Sequence, residues 1–156
     1  MLAYALECLD AQVLSRLSPY SSQRYEFHVS EPEPTVIIVD DDPEIAPLVN
    51  KALMPFDIRT EAVVGGTDAI MRMRKRRYDL VVLDLAMGDV NGFDVLRAIR
   101  ELPLNKDVPV LILTANGSPE ALARSFGHGA DEFVKKPFDL HELGIRAFRL
   151  IRPFRQ

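Results

Sequence analysis

Residues 79–84, Asp79-Leu80-Val81-Val82-Leu83-Asp84, set four consecutive apolar side chains directly before a carboxylate. An unbroken apolar run of this length suits a parallel strand covered on both faces. Two more runs have the same form: Val36-Ile37-Ile38-Val39 leads into Asp40-Asp41-Asp42, and Val110-Leu111-Ile112-Leu113 leads into Thr114. Two others differ. Ile58-Arg59-Thr60-Glu61-Ala62 alternates, and Asp131-Glu132-Phe133-Val134-Lys135 is polar at its ends, as expected of edge strands. The runs begin near residues 35, 58, 79, 108 and 131, at intervals of 23, 21, 29 and 23. Each of the first four leaves room for a helix and a return. The repeat predicts an α/β fold, a doubly wound five-stranded parallel sheet in the order 2-1-3-4-5.

Helix boundaries are written beside these strands. Ser118-Pro119 reads as an N-cap followed by proline at the first helical position. Asp139 with Glu142 three residues on resembles a capping box, and Pro153 limits the last helix. Pro47 falls inside the expected helix over 44–53 and is tolerated there only within the first turn. Ahead of the sheet, Leu2, Leu6, Leu9, Val13 and Leu17 recur at helical spacing, so residues 1–34 read as an amphipathic helix and a Ser/Pro/Glu-rich linker. The expected layout is an extension over 1–34, a domain over 35–152 and a tail over 153–156.

Composition narrows the function. The 156 residues carry 19 basic and 23 acidic side chains, a formal charge of −4, which speaks against direct nucleic-acid binding. Residues 1–34 hold two basic and five acidic groups, and the remaining 122 hold 17 and 18, so most of the acidity belongs to the extension. The one cysteine, Cys8, excludes an intramolecular disulfide and reads as a packing residue. No apolar run approaches the roughly 20 residues of a membrane span. The first residues lack a basic n-region, so a signal peptide is not expected and the cytoplasm is the expected location.

The chemistry lies at the carboxyl ends of the strands. The first ends in Asp40, Asp41 and Asp42, the third in Asp84, the fourth in Thr114, and the fifth in Lys136-Pro137. In an open α/β sheet ligands bind outside those ends, at the switch point between the first and third strands. Asp40, Asp41 and Asp84 are thus expected to share one crevice. Two carboxylates 4 Å apart repel by about 4 kcal/mol at an effective dielectric of 20, so positive charge must join them. Lys136 supplies one charge. The donor set is all oxygen, which favours Mg²⁺ for the remainder. A site with Mg²⁺, a lysine, a hydroxyl and a carboxylate suits phosphoryl transfer. A carboxylate is already ionised at neutral pH, so Asp84 needs no general base to attack phosphorus.

Four motifs, VIIVDDDPEI, DLVVLDLAMGDVNGFDVLRAIR, VPVLILTAN and GADEFVKKPF, resemble in order and spacing the receiver domain of bacterial two-component response regulators, a flavodoxin-like fold. The resemblance implies that Asp84 is the phosphoacceptor. It implies that Asp41, Asp84 and the backbone carbonyl of Ala86 ligate Mg²⁺, with Asp40 acting through water. It makes Thr114 the phosphoryl-binding hydroxyl, Lys136 its cationic partner and Phe133 the switch aromatic, and it makes Lys136-Pro137 a cis bond. Gly88 stands where the family usually has proline, which implies a looser loop. Ala86 and Asn116 take variable positions, and Asp42 is expected to be solvated.

The implied partners are a sensor histidine kinase or histidine phosphotransfer protein, an output protein not legible in the sequence, and a second copy through the fourth and fifth helices. Arg146, Arg149, Arg152 and Arg155 would line that last face. With three residues after Pro153, the expectation is action through protein contacts and no enzymatic turnover beyond self-phosphorylation and self-dephosphorylation. The run of 72–77, Arg-Met-Arg-Lys-Arg-Arg, reads as a solvated helix end, and His141-Glu142 as a helix first turn. Two alternatives stand beside this reading. One is a receiver-like interaction module that is never phosphorylated. The other is an aspartyl-phosphate phosphohydrolase, disfavoured because Ala86 occupies the position of the needed second acid.

Overall fold

Period-two alternation divides each buried apolar run between two cores. The computed structural model describes residues 32–152. Strands β1 (Thr35–Val39), β2 (Arg59–Val63), β3 (Leu80–Leu83), β4 (Val110–Thr114) and β5 (Glu132–Lys135) pair in parallel in the order β2-β1-β3-β4-β5. The helices are α1 (Ile45–Leu53), α2 (Gly66–Met73), α3 (Gly92–Glu101), α4 (Pro119–Gly127) and α5 (Leu140–Ile151). Ile37, Val39, Val81, Leu83, Val110 and Ile112 face α2 and α3, meeting Ala69, Met73, Leu96 and Ile99. Val36, Ile38, Leu80, Val82, Leu111 and Leu113 face α1 and α5, meeting Val49, Leu53, Leu143 and Ala147. Both edges behave as expected: β2 buries only Val63, and no residue of β5 is fully buried.

The helix signals hold. Ser118 accepts a hydrogen bond from Ala121 N at 3.2 Å, and Asp139 accepts one from Glu142 N at 2.8 Å. Only half of the capping box forms, because the Glu142 carboxylate turns to Arg146 instead. Pro47 is the third residue of α1, inside the first turn, where its missing N–H has no helical acceptor to lose. Helices α1 and α5 approach closely at Gly144, where a Cβ would lie 2.5 Å from the carbonyl oxygen of Ala52. The leucine-spaced helix, Cys8, most of the linker, Pro153 and Arg155 fall outside the described residues.

The basic run is more than a solvated helix end. Arg72 pairs with both Asp68 and Glu61, and Arg76 pairs with Glu61 at 3.2 Å. The Tyr78 hydroxyl donates to the same carboxylate at 3.0 Å. Hydrogen bonding from Arg72 is the main reason that the Glu61 carboxyl lies below its ordinary value. Burial, then the Glu61 hydrogen bond and charge, pushes the Tyr78 phenol from 10.0 up to about 12. Below pH 10 the phenol is neutral in both folded and unfolded chains, so it adds no pH dependence. Between 10.0 and about 12 the unfolded chain ionises first, and stability falls. Urea midpoints measured against pH are expected to drop less steeply over that window in Tyr78→Phe than in the wild type.

Candidate functional site

Strand register builds the site. Val39 pairs with Leu83, so the next residues, Asp40 and Asp84, emerge side by side at the carboxyl edge of the sheet. Asp84 N donates to Val39 O at 2.9 Å and fixes that alignment. Both carboxylates are buried, Asp40 at 7% exposure and Asp84 at 6%. Lys136, delivered by β5, donates from Nζ to Asp40 Oδ2 at 2.6 Å and to Asp84 Oδ2 at 3.2 Å. The remaining oxygens are met by backbone: Asp40 Oδ1 by Asp42 N at 2.9 Å, and Asp84 Oδ1 by Ala86 N at 3.0 Å. Helix α3 begins directly beneath, at Gly92. A Cβ there would strike the Leu85 backbone and lie 2.7 Å from Asp84 O, so only glycine allows this approach.

Negative charge exceeds positive in this largely buried pocket, and both neighbours of Asp84 respond to it. Burial raises the Asp40 carboxyl above its ordinary value and Asp84 adds to the effect, while hydrogen bonds from Lys136 and Asp42 N offset part of it. Burial works against the Lys136 charge, but the hydrogen bond to Asp40 and the fields of both aspartates outweigh it, and the ammonium is held above its ordinary value.

Asp41 is exposed at the rim, with its Oδ2 accepting from Gly88 N at 3.2 Å. The loop for which Gly88 implied a looser hold thus makes one contact that the family's usual proline cannot. The glycine N–H, which a proline would lack, pins the loop to Asp41. One carboxylate oxygen from each of Asp40, Asp41 and Asp84 lies within 4.8 Å of the other two. Three hard oxygens at that spacing fit Mg²⁺, which takes a few carboxylates and keeps several waters. Asp42 stays exposed and caps Glu44 N, outside the cluster, as expected.

Thr114 ends β4 fully buried, and its Oγ1 has no hydrogen-bond partner among the described residues. A buried hydroxyl without an acceptor is costly unless some other group engages it. Phe133 pairs across from Ile112 in β5 and packs, partly buried, on the α2–α3 core. The Lys136-Pro137 bond is cis. His141 lies exposed in the first turn of α5 and is not part of the Asp40–Asp41–Asp84 cluster. Arg146 pairs with Glu132 and Glu142, so one member of the arginine stripe is neutralised within the chain.

The sequence profile of the response regulator receiver domain family matches residues 36–147. The chain belongs to this family. Over 115 residues it is 36% identical to the regulatory protein LuxO of Vibrio cholerae, covering 74% of this chain and 25% of that protein. Over 119 residues it is 35% identical to the DNA-binding dual master transcriptional regulator RpaA of Synechocystis, covering 76% of this chain and 49% of that one. The chain thus spans half or less of these relatives. Among solved structures, the chemotaxis protein CheY4 of Vibrio cholerae aligns with a TM-score of 0.70 at 28% identity, covering 77% of this chain and 99% of that chain. The BeF3-activated DrrB receiver domain aligns with a TM-score of 0.69 at 28% identity, covering 76% and 97%. Receiver domains are signalling switches of two-component systems, and this one has their five-stranded sheet in the order 2-1-3-4-5. No helix among its described residues is long and apolar enough to cross a membrane.

One residue outside the site had no signal in the sequence. Asn105 is 1% exposed, donates to Met73 O at 2.6 Å and Arg76 O at 2.8 Å, and accepts from Tyr78 N at 3.0 Å. An asparagine after Leu-Pro-Leu reads as a turn residue. Its three partners lie about thirty residues away in the chain.

Proposed function

We propose that this receiver domain, over residues 35–152, is a phosphorylation-controlled switch whose phosphoacceptor is Asp84. The observation that carries this reading is the in-register pair Asp40 and Asp84, bridged by Lys136 Nζ and lying within 4.8 Å of Asp41. Asp40, Asp41 and Asp84, with the carbonyl of Ala86, would hold Mg²⁺. Bound there, the ion would neutralise charge on the equatorial phosphoryl oxygens.

The chain's own residues do the rest. An Asp84 oxygen attacks the phosphorus of a phosphohistidine on a sensor kinase or phosphotransfer protein. The P–N bond breaks, the imidazole leaves with its electron pair, and an acyl phosphate forms. Lys136 turns from the two carboxylates toward the new phosphoryl oxygens, and the Thr114 hydroxyl gains an acceptor. Phosphorylation adds about −1.5 to −2 charges at this point. Movement of Thr114 frees space toward Phe133 and so alters the surface of α4, β5 and α5, where an output partner or a second copy would read the change. Residues 1–34 and 153–156 flank this unit.

Incubation with acetyl phosphate and Mg²⁺ followed by rapid intact-mass measurement is expected to show one added phosphoryl group, on the peptide containing Asp84. No adduct under fast sampling, and no response to beryllofluoride, would favour the phosphorylation-independent module. In the same assay Lys136→Met is expected to lower the phosphorylation rate by about 100-fold, the loss typical of one preorganised charge-stabilising donor.

A further inference from the structure

The loop between β3 and α3 is held to two other segments. On one side Gly88 N donates to Asp41 Oδ2 at 3.2 Å. On the other, the Asp89 carboxylate reaches the start of α2, a helix whose N-cap, Gly65, has no side chain to serve it. The contact is close: a Cβ at Gly65 would lie 2.6 Å from Asp89 Oδ2. The three acids differ in how they are held. Asp40 and Asp84 are buried and fixed by Lys136 and by backbone amides within their own turns. Asp41 is exposed, and among the described residues Gly88 N is the one hydrogen-bond partner of its side chain.

An exposed carboxylate samples several rotamers, and a ligand must lose that freedom when it takes a metal. A fixed donor on the carboxylate removes part of the cost beforehand, as outer-shell partners of metal ligands do. We propose that Gly88 is a positioning residue of the metal site, its backbone N–H holding the Asp41 carboxylate toward the crevice while Asp89 ties the loop to α2. The proposal rests on Asp40, Asp41 and Asp84 being the Mg²⁺ ligands.

Two substitutions at one position separate the N–H from everything else. Gly88→Ala keeps the donor, its Cβ would meet Asp41 Oδ2 at an ordinary 3.9 Å, and no positive φ opposes it. Gly88→Pro removes the donor. Mg²⁺ alone is titrated into the full chain by calorimetry. The wild type is expected to bind one ion, Asp41→Asn to weaken it strongly, and Gly88→Ala to leave affinity unchanged. Gly88→Pro is expected to bind about tenfold more weakly, at the low end of outer-shell effects because the contact faces water.

Wild-type affinity in Gly88→Pro overturns the proposal and leaves the metal site standing. Wild-type binding that is absent, or insensitive to Asp41→Asn, overturns the metal reading and the proposal with it. A second measurement does not depend on the proline variant folding. Hydrogen exchange at the Gly88 amide is expected to be slow in the Mg²⁺-loaded wild type and faster in Asp41→Ala with the same ion present. Equal exchange in the two overturns the proposal.

Discussion

Asp84→Asn is expected to abolish the phosphoryl adduct and, in metal-free buffer, to make the protein more stable. The two effects share one cause. Asp84 sits within 4.8 Å of carboxylate oxygens of Asp40 and Asp41 and 3.2 Å from Lys136 Nζ. At an effective dielectric of 20, each repulsion is worth about 3.5 kcal/mol and the attraction about 5 kcal/mol. Two repulsions slightly outweigh one attraction, although the exposed Asp41 counts for less than Asp40. Dehydration decides the sign, because a buried carboxylate costs several kcal/mol that a neutral amide largely avoids.

A gain of about 1–2 kcal/mol follows, as is common when a strained functional charge is removed. Asparagine is nearly isosteric but has one acceptor oxygen for the two donors, Lys136 Nζ and Ala86 N, that Asp84 meets with separate oxygens, and the loss of one of these hydrogen bonds limits the gain. On the proposed metal site Mg²⁺ would bind the folded wild type preferentially and stabilise it, so saturating Mg²⁺ is expected to shrink or reverse the difference. Urea midpoints in EDTA and in Mg²⁺, beside intact mass, read both effects. A variant that still accepts phosphoryl contradicts the assignment of Asp84, and one less stable than wild type in EDTA contradicts the charge argument.

Asn105→Ala is expected to have the largest effect on folding, with no direct effect on the site. The side chain joins the end of α2 to the segment that leads into β3 through three hydrogen bonds, two buried and one partly buried. Alanine leaves two carbonyls and one amide unpaired, and each buried unpaired group costs about 1–3 kcal/mol. Partial hydration of the Arg76 carbonyl reduces the sum, leaving about 3 kcal/mol, a large share of the roughly 5–15 kcal/mol that holds a domain together. The melting temperature is expected to fall by about 10 °C. Asn105→Asp is expected to be worse, since it sets a carboxylate against the carbonyls of Met73 and Arg76. Both Asn105 and its partners lie at the amino edge of the sheet, opposite Asp84. Phosphorylation of the folded fraction is therefore expected to proceed at the wild-type rate, and a slowed rate in native buffer would contradict this separation.

The backbone of this protein was legible because its signals are local. Four-residue apolar runs, two interrupted edge strands and the caps at Ser118 and Asp139 each report on neighbours a few positions away, and all reappear in the structure. The acids at strand ends were equally legible, since the C-terminal edge of a parallel sheet collects whatever follows each run. The contacts that give these residues their properties were not. Lys136 meets Asp40 across 96 positions, Asn105 meets Met73 across 32, and Gly88 meets Asp41 across 47. The Gly88 contact left no sign in the sequence, because its donor is a backbone amide that every residue except proline carries. The sequence by itself thus determined the order of the strands, the chemistry gathered at one edge and the family. Tertiary structure alone decided which carboxylate is buried, which is oriented from outside, and which asparagine holds the far edge closed. Periodicity records which face of an element meets the core, whereas a single hydrogen bond between distant segments leaves no repeating trace in either of them.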